Sequence, residues 1–109
     1  AALDEGLEDA LDVVLLGMGE DGHVASLFPG RPWPDTRRAA HVTSSPKPPS
    51  DRITLTLPVL ATAAETILFA PGESKRMARR RFLAADPLLP ATRLRPLTLV
   101  TDRLRGDPR

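Results

Sequence analysis

Two side chains capable of acid–base chemistry, Asp21 and His23, lie two positions apart in the glycine-rich segment 17–23. An imidazole titrates near neutral pH, so it can accept a proton from water under working conditions. A neighbouring carboxylate raises the basicity of the ring and fixes its tautomer, as in catalytic triads. Glycines let the backbone bend so that both side chains project into one cleft. The pattern indicates a water molecule activated by His23, with Asp21 as its partner.

The same segment permits two other interpretations. Gly17, Gly19 and Gly22 match the G-x-G-x-x-G pattern of dinucleotide-binding turns. Against that interpretation, Glu20 and Asp21 place negative charge where a pyrophosphate would rest. The third possibility is a plain turn whose charged side chains point into water. On the residues alone, these alternatives stay open.

Other catalytic chemistries have little support. The absence of cysteine excludes a thiol nucleophile, a thiolate zinc site and a disulfide scaffold. No serine stands in a G-x-S-x-G elbow, which argues against covalent acyl transfer. The second histidine, His41, lies in a separate segment without metal-ligand spacing. We therefore predict no metal site.

The composition excludes two classes of partner. A net charge of +1 provides no field for nucleic acid, and 4% aromatic residues offer few surfaces on which bases could stack. The longest apolar runs, near 13–16 and 67–70, are far shorter than the roughly 20 residues of a membrane span. The 109 residues suffice for one globular domain, and we expect it in the cytoplasm without nucleic-acid or membrane partners.

The elements that must position the acid–base pair follow from apolar patterning. Helical spacing predicts a helix over 3–11, and an unbroken apolar run predicts a strand over 13–16 covered on both faces. A short helical turn is predicted at 23–28, and strict alternation predicts a half-buried strand over 52–57. The remaining predicted elements are strands at 40–43, 66–70 and 97–101, helices at 58–64 and 73–85, and a stiff proline-rich connection at 44–50.

Strands that alternate with helices predict an α/β fold with a Rossmann-like, mostly parallel sheet and helices on both faces. Ligands bind such sheets beyond the carboxyl ends of the strands, where segment 17–23 follows the first strand. Three consecutive arginines in the helix at 73–85 are predicted to lie on its solvated face: Arg79, Arg80 and Arg81.

Segment 14–30 closely resembles the signature of the 6-phosphogluconolactonase family, within the superfamily of glucosamine- and galactosamine-6-phosphate isomerase-like proteins; it reads VLLGMGEDGHVASLFPG. The resemblance continues in order through 45–49, 52–58, 72–75 and 89–91, and so covers nearly the whole chain. It implies hydrolysis of 6-phosphogluconolactone to 6-phosphogluconate in the pentose phosphate pathway, without metal or organic cofactor. His23 would be the base and Asp21 its orienting partner, in a loop where Gly19 and Gly22 adjoin the substrate.

A phosphorylated lactone requires cations near its phosphate. Lys47 and Arg52 flank the proline-rich segment, and Lys75 lies in the first turn of a predicted helix whose amides favour anions. The resemblance favours Lys47, with Arg52 and Lys75 as second choices. Pro71, where the family commonly has Thr, weakens the case for Lys75. Each cation also has a plain interpretation as a solvated surface residue.

Glucosamine-6-phosphate deaminases are the main alternative, because they share the fold and a similar Gly-x-Gly-x-Asp-Gly-His run. They are expected to continue with Asn-Glu-Pro-Gly, whereas residues 27–30 of this chain read LFPG. The carboxylate that would assist ring opening is replaced by Phe28, which cannot transfer a proton. This departure favours the lactonase.

The resemblance further implies that residues 1–109 are the C-terminal half of a larger α/β domain, because the family's glycine- and serine-rich phosphate loop is not among them. The opening without Met or a leader agrees with that expectation. The missing N-terminal half of the same enzyme is then an expected partner, beside the small-molecule lactone. The alternative is a non-catalytic module that binds phosphosugars or a partner.

Overall fold

A computed structural model describes residues 10–34, 37–94 and 96–102. The predicted helix over 3–11 therefore lies, up to residue 9, outside the described residues. No helix of the described ranges is long and apolar enough to cross a membrane. The elements in order are β1 (Val13–Gly17), β2 (Ala39–Val42), β3 (Arg52–Leu55), α1 (Leu57–Leu60), β4 (Glu65–Phe69), a 3-10 turn (Glu73–Lys75), α2 (Arg76–Leu83), a second 3-10 turn (Pro90–Arg93) and β5 (Leu97–Val100).

Strands β1, β4 and β5 form a parallel sheet in the order β1-β4-β5. Gly17 pairs with Phe69, and Phe69 with Val100, so the carboxyl ends of all three strands reach one edge. The parallel α/β architecture predicted from the sequence is confirmed. The loops after β1 and β4 both leave from that edge, which is where such sheets bind ligands.

The second sheet is an antiparallel hairpin of β2 and β3, inserted between β1 and α1. Thr56 follows β3 and is fully buried; its hydroxyl donates to Arg37 O at 2.7 Å and its amide to Arg38 O at 3.0 Å. The strand that was predicted over 52–57 ends at Leu55 in the structure. Helix α1 begins at Leu57, and Pro58 lies in its first turn, where proline is favourable. At 23–28 the structure has isolated β-bridges of Val24 with Met18 and Leu27 instead of the predicted helical turn.

One apolar core lies between the parallel sheet and the helices. Val14 and Leu16 of β1 point into it, together with Leu68 of β4. Its buried members are Val14, Leu16, Met18, Val24, Leu27, Leu60, Ala63, Leu68, Ala70, Ala78, Phe82, Leu89, Ala91 and Leu94.

The prediction that β1 is covered on both faces is wrong for the described residues, because the side of the sheet opposite the core is exposed. Val13 is 58% exposed and Leu15 70%, and Phe69 and Val100 are exposed on the neighbouring strands. We call these four residues the outer face. The steps from β1 to β4 and from β4 to β5 run in one direction, and right-handed crossovers then place α1 and α2 on the same side. Among the described residues, the helices therefore leave the outer face uncovered.

The turn after β4 is fixed by a buried arginine, contrary to the prediction that Arg79 is solvated. Arg79 is 2% exposed and donates from Nη1 to Ala70 O at 3.0 Å and to Gly72 O at 2.6 Å. The carboxylate of Asp102 accepts the Gly72 amide at 2.9 Å, and this hydrogen bond lowers the pKa of Asp102. These contacts hold the start of the segment that leads to Lys75.

The loop after β1 depends on Gly22, which supports a first prediction. Gly22 is buried at φ +95°, and a Cβ there would overlap the side chain of Leu89, whereas Gly30 at φ +77° has no atom within 4 Å of such a Cβ. We expect Gly30→Ala to lower the free energy of unfolding by about 1–2 kcal/mol through backbone strain. Gly22→Ala should cost about 1–3 kcal/mol more through overpacking. Chemical denaturation measures both variants, and equal losses would contradict the role of Leu89.

Candidate active site

Asp21 and His23 form a closely coupled pair. One oxygen of the Asp21 carboxylate, Oδ1, accepts the backbone amide of His23 at 3.1 Å and its ring Nδ1 at 2.6 Å. Because a carboxylate only accepts, Nδ1 carries a proton, and in the neutral form of the ring Nε2 holds the lone pair. Among the described residues, none forms a hydrogen bond to Nε2, and the His23 side chain is 20% exposed. The ring can therefore accept a proton from a water molecule at Nε2.

The backbone of the loop places the two side chains together. The Gly19 amide donates to His23 O at 2.9 Å, and the Gly22 amide donates to Gly19 O at 2.9 Å. A Cβ on Gly19 would overlap Cε1 and Nδ1 of His23 and would come within 2.9 Å of Asp21 Oδ1. Only glycine at position 19 leaves room for the imidazole in this position.

Phe28 supports the histidine ring from the side. The two ring centroids are 4.7 Å apart at an interplanar angle of 34°. Phe28 is 2% exposed, and the guanidinium carbon of Arg52 lies 5.4 Å from the centroid of its ring. A buried aromatic ring thus connects His23 to a cation of the hairpin.

Arg52 also holds the proline-rich loop that carries Lys47. Its Nε donates to Pro49 O at 3.2 Å, and Nη2 donates to Pro48 O at 2.7 Å and Lys47 O at 3.1 Å. The Ser45 hydroxyl donates to the same Lys47 carbonyl at 2.7 Å. The backbone of the exposed Lys47 is therefore fixed, while its ammonium group remains on the surface.

The charges of the site keep Asp21 ionised. Partial burial acts to raise the pKa of its carboxyl group, but hydrogen bonds from the amide and ring of His23, with the charges of His23 and Lys47, lower that pKa overall. Lys47 thus lies within electrostatic reach of the pair. An ionised Asp21 can stabilise the imidazolium that forms when His23 takes a proton.

The structure assembles most of the sequence-predicted residues around the pair. Asp21, His23, Gly19 and Gly22 share one loop, and Lys47 and Arg52 belong to the adjoining hairpin as described above. Lys75 ends the 3-10 turn that follows β4, the strand next to β1, and within the described ranges no hydrogen bond or ion pair joins it to the pair. The roles of these residues remain predictions.

The sequence also led us to expect no metal site and no role for His41 beside the acid–base pair. In the described part of the chain, no group of three His, Cys, Asp or Glu side chains could hold a metal ion. His41 lies on β2, with a side chain that is 61% exposed and an Nε2 atom 3.7 Å from Asp51 Oδ1. It forms a surface contact separate from the acid–base pair.

Sequence reasoning missed Arg81, which was assigned to the solvated face of its helix. Its Nη1 donates to Asp21 O at 3.2 Å and its Nε to Asp86 Oδ2 at 2.8 Å. The only signal in the sequence is weak: three consecutive helical residues span about 200°, which places Arg79 and Arg81 toward the borders of the polar face. Of the three, Arg80 alone is exposed; Arg79 is buried and Arg81 half-buried.

The parallel sheet, with a carboxylate–imidazole pair in the loop at its carboxyl edge, defines an α/β protein with an acid–base site. The chain belongs to the family of glucosamine-6-phosphate isomerases/6-phosphogluconolactonase, whose family model matches residues 1–102. The family resemblance predicted from the sequence is thereby confirmed.

Individual relatives agree with this placement. The chain is 46% identical over 90 residues to 6-phosphogluconolactonase of Rattus norvegicus, covering 80% of this chain and 35% of the rat protein. It is 44% identical over 91 residues to the Homo sapiens 6-phosphogluconolactonase, covering 80% and 35%. The crystal structure of 6-phosphogluconolactonase from Thermotoga maritima superposes with a TM-score of 0.76 at 29% identity, covering 90% of this chain and 46% of that one. The chain thus spans about a third of these curated relatives and under half of the solved structure.

The close approach of Gly19 to the imidazole supports a second prediction. Gly19→Ala should displace the His23 ring from Asp21 at little cost in stability, because a flexible side chain gives way more easily than backbone. Gly17→Ala is the matched control, since a Cβ at Gly17 meets no atom within 4 Å. The ring resonances of His23, followed by NMR, should shift in the first variant and stay in place in the second. An unshifted His23 ring in Gly19→Ala would contradict the described geometry.

Proposed function

We propose that this chain carries the acid–base part of a 6-phosphogluconolactonase site and hydrolyses 6-phosphogluconolactone in the pentose phosphate pathway. The observation that carries the proposal is the hydrogen bond of 2.6 Å between His23 Nδ1 and Asp21 Oδ1, which leaves Nε2 available to water. Membership in a family that includes 6-phosphogluconolactonases supports the substrate class. The cytoplasm remains the expected location.

The proposed reaction needs one base and no covalent intermediate. His23 Nε2 removes a proton from water as the water oxygen bonds to the lactone carbonyl carbon. The tetrahedral intermediate collapses, the bond from that carbon to the ring oxygen breaks, and the ring oxygen takes the proton back from His23. The products are a carboxylic acid, which ionises, and a free hydroxyl group. Asp21 stabilises the transient imidazolium.

Substrate binding is assigned to the residues around the pair. Lys47 binds the phosphate, because it lies within electrostatic reach of Asp21 on a loop whose backbone is held. Arg52 holds that loop, and its remaining nitrogen, Nη1, can also reach toward an anion. The loop of Gly19 and Gly22 is assigned to adjoin the lactone, because Gly19 lies directly against the imidazole. Lys75 is the further candidate at the same edge of the sheet.

The deaminase alternative has less support from the geometry. Phe28 occupies the position where a carboxylate would assist ring opening, and it packs on His23 at a centroid distance of 4.7 Å. A phenyl ring holds the imidazole in place and transfers no proton. The site therefore fits hydrolysis by a single base better than an isomerisation that needs a second proton-transfer group.

We further propose that a polypeptide equivalent to the unmatched part of the relatives completes the domain. The outer face exposes Val13, Leu15, Phe69 and Val100, and β1 is an edge strand in the described sheet although its residues are apolar. A further strand beside β1 and helices over the outer face would bury them.

Purified alone, the chain should hydrolyse the lactone slowly, and the complementary N-terminal segment of a relative should raise the rate. Full activity without that segment would contradict this proposal.

Calorimetric titration with 6-phosphogluconate distinguishes the lactonase from the alternative of a non-catalytic binding module. Tight binding of 6-phosphogluconate, together with no turnover in the presence of the complementary segment, would favour a binding role and overturn the lactonase proposal.

A third prediction tests the base. His23→Gln should lower kcat by about 10²–10⁴-fold, the usual contribution of general base catalysis. His41→Gln is the matched control, because His41 is exposed on β2 and should leave the rate unchanged. Lactone hydrolysis is measured by proton release in a weakly buffered solution. Equal rates for His23→Gln and the wild-type protein would contradict the assignment of His23 as the base and would leave it only a structural role.

A fourth prediction separates binding from chemistry. Lys47→Ala should raise KM several-fold and leave kcat nearly unchanged, because a phosphate contact acts equally in the ground and transition states. Lys75→Ala provides the comparison, and its effect on KM should be smaller because, within the described residues, no hydrogen bond or ion pair joins Lys75 to the acid–base pair. Steady-state kinetics over a range of lactone concentrations gives both constants. A loss confined to kcat in Lys47→Ala would refute the phosphate assignment.

A further inference from the structure

Helix α2 and the segment that follows it contact the loop of Asp21 and His23 at two separate points. Arg81 Nη1 donates to the backbone carbonyl of Asp21 at 3.2 Å, across 60 positions of sequence. The fully buried Leu89 packs directly against Gly22, where an added Cβ would overlap its side chain. One contact is polar and the other apolar, and they involve adjacent residues of the same short loop.

Arg81 is itself held in a defined orientation. Its Nε donates to Asp86 Oδ2 at 2.8 Å, and Oδ1 of the same carboxylate accepts the Leu88 amide at 2.9 Å. The Asp86 carbonyl accepts the Thr92 hydroxyl at 2.8 Å. Because the guanidinium is a rigid planar fork, fixing Nε determines where Nη1 points. Asp86 thereby directs Arg81 at the carbonyl of Asp21.

We propose that Arg81, oriented by Asp86, is a positioning residue that fixes the peptide of Asp21 so that the Asp21 carboxylate meets His23. Asp21 joins the two contacts, because its carbonyl accepts from Arg81 while its Oδ1 accepts from the backbone amide and the ring Nδ1 of His23. The backbone torsion ψ and the two side-chain torsions of Asp21 separate those acceptors. The functional part of this inference rests on the proposed role of His23 as the base.

Two readouts distinguish positioning from a merely structural contact. The first is the NMR signal of the His23 Nδ1 proton, which a short hydrogen bond to a carboxylate shifts downfield. The second is the division of the kinetic effect between kcat and KM, measured in the form of the protein that hydrolyses the lactone. A contact that only supported stability would change the unfolding transition and leave both readouts unchanged in the folded protein.

We expect Arg81→Gln to weaken or abolish the downfield signal and to lower kcat by up to about 100-fold, with little change in KM, because small misplacements of a catalytic group are costly. Arg81→Lys keeps the positive charge but lacks the planar fork, so it should show the same changes in a milder form. Asp86→Asn should act in the same direction by releasing Arg81. Arg80→Gln, one position earlier on the exposed side of the helix, is the control and should leave the signal and kcat as in wild type.

The outcomes decide the inference. An unchanged His23 signal in folded Arg81→Gln overturns it, whatever happens to stability or rate. Should Arg81→Gln fail to fold, Arg81→Lys and Asp86→Asn carry the same test, and an unchanged signal in both overturns it. If the wild-type protein and its complementary segment do not hydrolyse the lactone but the signal responds to Arg81, the positioning role stands and the proposed function fails.

Discussion

The site depends on two hydrogen bonds that a single carboxylate oxygen of Asp21 accepts from His23. Because Oδ1 binds the amide and the ring nitrogen of His23 together, the backbone and the side chain of the histidine are fixed by one carboxylate. The arrangement requires an ionised Asp21, and the lowered pKa of that group secures it near neutral pH. It also requires space, which the missing side chain of Gly19 provides. The surrounding elements maintain this geometry.

The supports of the pair come from distant parts of the chain. Phe28 contacts the imidazole from the segment after the loop, and Arg52 of the hairpin lies near the Phe28 ring. Arg81 of α2 binds the Asp21 carbonyl from another direction. These residues are brought together by the parallel sheet, whose aligned carboxyl ends place successive loops side by side. The hairpin contributes through Arg52, which joins the loop of Lys47 to the ring beside His23.

The sequence predicted the parts of this arrangement that follow from local patterns. The apolar run of β1, the glycines after it and the residues Asp21 and His23 can be recognised without coordinates, and the alternation at 52–57 indicated β3. Contacts that depend on tertiary packing could not be found in this way. The spacing of residues does not show that Arg79 is buried beneath the turn after β4, or that Leu89 lies against Gly22. The short helical turn predicted at 23–28 failed because the bridges of Val24 to Met18 and Leu27 give the backbone other hydrogen-bond partners.

The uncovered side of the sheet has a consequence for handling the protein. In the described sheet, one edge of β1 presents unpaired backbone amides and carbonyls, beside the exposed side chains of Val13 and Leu15. An apolar edge strand of this kind is a template for strand pairing between molecules, and charged or proline residues that would block it are absent from β1. In the part of the chain that the structure describes, this edge therefore favours self-association of the protein at high concentration. Co-expression with a segment that pairs with β1 is the rational route to a well-behaved sample.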